Sequence, residues 1–113
     1  MTVTIYHNPR CSKSRQTLEL LRENGVEPTI VEYLETPPSA SELTAIIAKL
    51  GKTAAEIVRK KEAAEEGIDV ATLDNEALIK ALAAHPRAIE RPIVVNGDKA
   101  AVGRPPESVL DIL

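Results

Sequence analysis

The apolar positions change period along the chain, and those changes lay out its elements. Val3-Thr4-Ile5-Tyr6 is a short strand run, and Leu18, Leu20 and Leu21 form an apolar stripe that predicts a helix from about Ser12 to Asn24. Gly25 suits its stop, and Pro28-Thr29-Ile30-Val31-Glu32-Tyr33-Leu34 reads as a second strand. Strand, helix and strand within roughly 35 residues make a βαβ unit, which implies parallel strands and a right-handed crossover. Pro37-Pro38 then breaks the chain. Ser39 with Glu42 is a capping box that opens a helix carrying Leu43, Ile46, Ile47 and Leu50, and Gly51 ends it. Thr53 with Glu56 opens a shorter helix with Ile57 and Val58.

Residues 59 to 72 are charged and weakly periodic, and they fit either a short exposed helix or a mobile loop. Asp74 or Asn75 caps another helix, with Leu78, Ile79, Ala81 and Leu82 on its buried face and Pro86 at its end. The period then returns to that of strands. Pro92-Ile93-Val94-Val95, the turn pair Asn96-Gly97 and Lys99-Ala100-Ala101-Val102 predict a β-hairpin. Gly103-Arg104-Pro105-Pro106-Glu107 leads into a last helix with Val109, Leu110 and Ile112, and proline suits its first turn. The order βαβ, helical block, ββα predicts an α/β fold with a mixed sheet of about four strands. We read residues 1–113 as a single domain with a helical insertion at about 38–86.

Composition narrows the function. Phe and Trp are absent and Tyr occurs only at positions 6 and 33, so the core is aliphatic and stacking on bases or sugars is not expected. A formal net charge of −3 and a pI near 5.4 argue against general binding of nucleic acid or anionic membranes, which need a basic face. No apolar run approaches the roughly 20 residues of a membrane span, and no signal-peptide pattern is visible, so the expected compartment is cytoplasmic. With a single cysteine and no HxxxH or carboxylate cluster there is no metal-site signal, and no bound cofactor is implied.

That cysteine, Cys11, sits in His7-Asn8-Pro9-Arg10-Cys11-Ser12-Lys13-Ser14-Arg15, between the first strand and the first helix. A thiol at a helix N-terminus meets unpaired backbone N–H groups and the positive end of the dipole, both of which favour thiolate. His7, Arg10, Lys13 and Arg15 add local positive charge against an acidic background, as an anion site requires. Lowering a thiol pKa by about two units turns about 3% thiolate at pH 7 into roughly three-quarters. His7 either promotes the thiolate, by hydrogen bond or by charge, or caps the loop. Ser12 and Ser14 are placed to cap the helix, with Ser14 the better candidate to hydrogen-bond sulfur. One cysteine forms no internal disulfide, so redox chemistry at Cys11 needs a thiol from another molecule.

The HNPRCSKSR loop, the segment Glu90-Arg91-Pro92-Ile93-Val94-Val95 and the ending Gly103-Arg104-Pro105-Pro106-Glu107 onward together resemble the glutaredoxin-linked arsenate reductase family. The resemblance implies a thioredoxin-like fold. It implies that Cys11 attacks arsenate or a related oxyanion, that Arg59, Arg91 and Arg104 hold that oxyanion, and that His7 keeps the thiolate ionised. It further implies glutathione as co-substrate, glutaredoxin as the partner that restores the thiol, and a cis peptide bond before Pro92. Arginine suits an oxyanion because its planar donors bind in a forked geometry and it stays charged when partly desolvated. Arg10 and Ser12 stand where members of the family often carry smaller residues, as in a less characterised subgroup with this loop. Two other readings share the features: a glutathione-linked reductase of another substrate, and a regulator resembling the Spx type. That regulator type uses a CxxC switch, and Ser14 occupies its second position here.

Overall fold

The computed structural model describes residues 2–113. The chain forms two compact units: one runs to Thr36 and resumes at Arg91, and the other is the inserted segment Pro37–Glu90. The first unit contains β1 (Val3–His7), α1 (Ser12–Glu23), β2 (Thr29–Glu32), β3 (Ile93–Asn96), β4 (Lys99–Val102) and a closing 3-10 helix, Pro106–Ile112. Its strands lie in the order β2-β1-β3-β4, with β1 and β2 parallel and the other neighbours antiparallel. The mixed four-stranded α/β sheet expected from the sequence is therefore present.

The register puts Ile5 beside Ile30 on one side and Val94 on the other. Ile5, Leu21, Val94 and Val109 are fully buried together, with Val3, Leu18, Val26 and Ile112 packed around them. A 12-residue helix such as α1 is marginal alone, whereas each buried aliphatic side chain contributes about 1.5–3 kcal/mol. Packing of Leu21 under the sheet, more than helix propensity, therefore stabilises α1.

Several boundaries differ from the expected ones. The second strand is only Thr29–Glu32, because Glu35 and Thr36 N–H both donate to the Glu32 carbonyl and turn the chain (3.0 and 2.9 Å). Asn96 and Lys99 pair as the last strand residues, so the hairpin turn is Gly97-Asp98, with the positive φ (63°) on Gly97 as a tight hairpin turn requires. The last element is a 3-10 helix and not an α-helix. Pro105 and Pro106 supply no N–H, Ser108 N–H closes a tight turn on the Pro105 carbonyl (3.0 Å), and the Asn96 amide takes the Ile112 carbonyl (2.6 Å).

In the inserted unit, α2 (Ala40–Leu50) starts at the Ser39–Glu42 capping box and stops at Gly51 (φ 67°). The Thr53–Glu56 box caps a single 3-10 turn, Ala54–Ile57, after which Val58 bridges to Ile89. The charged stretch after Arg59 forms the short α3 (Lys60–Glu65), which buries Ala63, followed by irregular chain. Asp74 caps α4 (Asn75–Ala84), while the Asn75 side chain accepts the Ala54 N–H (2.8 Å). Helices α2 and α4 pack through Leu43, Ile46, Ile47, Leu78, Ile79 and Leu82, all buried.

Candidate active site

Cys11 is the N-cap of α1, with extended backbone (φ −90°, ψ 123°) and no side-chain capping bond. A residue in that position faces the helix's unpaired N–H groups. The backbone N–H groups of Ser14 and Lys13, at the open end of the helix, favour the charged form of its sulfur. The loop before it is tied at several points. Cys11 N–H donates to the Asn8 carbonyl and Arg10 N–H to Asn8 Oδ1 (both 3.0 Å), and the Arg15 guanidinium donates to the Pro9 carbonyl (2.9 Å).

Two of the expected arginines meet at the sulfur. Arg104 donates through Nη2 toward Cys11 Sγ (3.6 Å) and through Nε to the Arg91 carbonyl (2.7 Å), and the Arg91 guanidinium also hydrogen-bonds the sulfur. Both follow from the hairpin, since Arg91 precedes β3 and Arg104 follows β4, so antiparallel pairing returns one arginine beside the other. The Arg91–Pro92 and Arg104–Pro105 peptide bonds are cis; only the first was expected.

Partial burial raises the pKa of the Cys11 thiol, and the Ser14 and Lys13 N–H groups and the Arg91 guanidinium more than reverse it. The net shift is downward, toward thiolate. His7 moves the other way from a cationic role. Burial, which Glu32 opposes and Arg15 and Arg22 reinforce, lowers its pKa, so the ring is neutral at neutral pH. Its Nδ1 lies 2.6 Å from Ser14 Oγ, which also accepts the Asn8 N–H (3.0 Å). The Ser14 hydroxyl, fully buried, thus ties the end of β1 to the first turn of α1, and it is the Ser14 backbone N–H, not the hydroxyl, that favours the thiolate.

Arg59 lies in the inserted unit, where its Nε meets Glu62 (3.1 Å) and its Nη1 meets Glu90 (3.5 Å). It is a half-buried cation with two carboxylate partners.

Two residues outside the expected set shape the site. Asn8 organises the loop from both its side chain and its backbone, and the Asn-Pro pair is the sequence signal of such a turn. Gly103 lies so close to α1 and Pro92 that a Cβ there would meet Thr17 Oγ1 at 2.5 Å and Pro92 Cγ at 2.8 Å. Glycine at that point lets the chain carrying Arg104 pass against the helix carrying Cys11.

A thiol at a helix N-terminus, beside a mixed sheet and opposite a cis-proline, defines a thioredoxin-like α/β protein. Residues 6–112 match the model of the ArsC family, and the chain belongs to that family. It is 54% identical to the uncharacterized protein YfgD of Escherichia coli strain K12, over 98% of this chain and 96% of that protein. It is 48% identical to an arsenate reductase of Haemophilus influenzae over the full length of both. The solved structure of an arsenate reductase from Vibrio cholerae superposes with a TM-score of 0.94 at 47% identity, covering 100% of this chain and 98% of the other. Among the described residues, no helix is long and apolar enough to cross a membrane.

Proposed function

We propose that this protein is a thiol-dependent oxyanion reductase that converts arsenate to arsenite, with Cys11 as nucleophile and glutathione and glutaredoxin as the external thiols. The observation that carries the reading is the sulfur itself, set at the N–H end of α1 with two arginines on it and biased toward thiolate. Disulfide exchange alone needs no such cations. An approaching tetrahedral oxyanion does, because thiolate and substrate repel each other unless fixed charge offsets them.

The chemistry balances in three steps. Cys11 condenses with dihydrogen arsenate, forming an S–As bond and expelling water, with arsenic still pentavalent. Glutathione thiol then attacks the Cys11 sulfur, the S–As pair leaves on arsenic as trivalent arsenite, and the thiol proton goes to an arsenite oxygen. The product is a Cys11–glutathione disulfide, which glutaredoxin or a second thiol reduces. Arg91 and Arg104 bind the oxyanion, orient it on sulfur and hold charge on its oxygens. Arg59 is the third arginine implied by the family resemblance, with its charge shared between Glu62 and Glu90. His7 and Ser14 are positioning residues that fix the loop on the first turn of α1.

The test is steady-state arsenite production with glutathione and glutaredoxin. Turnover that requires both, and that Cys11→Ser abolishes, supports the reading. A Cys11–glutathione disulfide that accumulates no faster with arsenate than without it would make Cys11 a general redox thiol and sink the substrate assignment.

A further inference from the structure

Beside the Cys11 loop, in the first unit, is a cavity of about 250 Å³ lined by His7, Pro9, Arg10, Glu32, Leu34 and Glu35. It lies where β1 and β2 end, since His7 and Glu32 are their paired last residues, and the crevice beyond the carboxyl ends of parallel strands is where open α/β sheets bind ligands. Its chemistry is mixed. Arg10 offers a guanidinium, Glu32 and Glu35 offer carboxylates, and Pro9 and Leu34 offer apolar surface. None of those three charged side chains forms an ion pair with another described residue. The two carboxylates would repel a second oxyanion, so the cavity is not an extension of the arginine site. The volume is below the range of about 300 Å³ and upward that holds a whole drug-sized ligand, so it takes one end of a small molecule.

We propose that this cavity seats the zwitterionic end of the peptide thiol that attacks Cys11: Glu32 and Glu35 take an α-ammonium, and Arg10 takes the α-carboxylate next to it. The γ-glutamyl end of glutathione has that pair of charges. Arg10 adjoins Cys11, and its backbone is held by Asn8, so a ligand end anchored there keeps its thiol within reach of the sulfur. The inference rests on the reading of Cys11 as a glutathione-dependent thiol, and it deepens that reading by naming where the co-substrate binds.

The experiment leaves arsenate out, so that the subsite and the oxyanion assignment fail separately. Cys11 is converted to its mixed disulfide with an aromatic thiol, and release of the coloured thiolate is followed with glutathione and with 2-mercaptoethanol, which has no charged end. Attack by either thiol on the Cys11 sulfur forms the new disulfide and expels the aromatic thiolate. Relative to 2-mercaptoethanol, glutathione should react faster here than on a small aromatic disulfide in solution. That ratio should fall about three- to tenfold in Arg10→Ala and again in Glu35→Gln, with Arg10→Lys keeping part of it. The sign at Glu35 is the decisive reading. Glutathione is a net anion, so general electrostatics would make Glu35→Gln react faster with it, whereas the subsite makes it react more slowly. A faster or unchanged Glu35→Gln, or a wild-type ratio no higher than that of the free disulfide, overturns the proposal whether or not arsenite is ever produced.

Discussion

Replacing Gly103 by alanine tests whether the approach between the Arg104 segment and α1 sets the site. The added Cβ would lie 2.5 Å from Thr17 Oγ1, 3.1 Å from Thr17 Cγ2 and 2.8 Å from Pro92 Cγ. Ordinary contact begins near 3.4 Å, so the segment and the helix must separate by roughly 0.6–0.9 Å. Thr17 has no room to rotate away: it is fully buried and its hydroxyl donates to the Lys13 carbonyl (2.8 Å). Overpacking of this kind costs about 1–3 kcal/mol, which for a domain of this size lowers Tm by about 4 °C per kcal/mol. The separation also lengthens the 3.6 Å contact between Arg104 and Cys11, so thiolate content should fall with stability. Thermal unfolding and the pH dependence of iodoacetamide reactivity measure the two effects. Thr17→Ala removes two of the three clashing atoms, so the double variant should recover more than half of the lost stability, a coupling read directly from a double-mutant cycle. A Gly103→Ala protein with wild-type Tm and an unshifted Cys11 titration would show that this close approach does not set the site.

Thiolate absorbance near 240 nm should titrate below the free-thiol value of about 8.5, and activity should rise with pH through that lowered midpoint and then level off. Arg91→Ala and Arg104→Ala should each lose about 1.5–3 kcal/mol of transition-state stabilisation, about 10- to 150-fold in kcat/KM for the oxyanion, with lysine recovering only part; wild-type kinetics in both would remove them from the site. Arg59→Ala should cost less than either, because its charge is already shared by two carboxylates; an equal or larger loss would contradict that ordering. Ser14→Ala cuts the tie between His7 and the loop and should raise the Cys11 midpoint, and His7→Gln should raise it less than Ser14→Ala does. Because His7 and Cys11 both have folded pKa values below their unfolded ones, the unfolded state binds more protons. Stability from Cys11 therefore falls as pH drops from the free-thiol range through its folded pKa, and that from His7 falls further below about 6.5; pH-dependent denaturant unfolding checks the sign.

The order of elements and the chemistry available to them were legible along the chain. Periodicity located β1, α1, the capped helices of the insertion and the hairpin, because those are local choices: Ser39–Glu42 and Asp74 cap the helices that follow them, and Gly51 can take the left-handed turn that ends α2. Cys11 was legible for the same reason, since the helix that activates it starts at the next residue. What surrounds the sulfur depends on long-range pairing. Arg104 is 93 residues away along the chain and reaches Sγ only because β3 and β4 pair antiparallel. The neutral state of His7 likewise depends on burial, which no local pattern reports. The same division explains the misread ends: the second strand stops at Glu32 and the last turn tightens to 3-10 because of hydrogen bonds from Glu35, Thr36 and Asn96. Gly103 is the sharpest case, a glycine with no positive φ to mark it, required only because α1 and Pro92 crowd it from two sides. Local sequence carries propensity and reactivity, whereas distances between groups far apart in the chain are set by how the sheet pairs and what packs upon it.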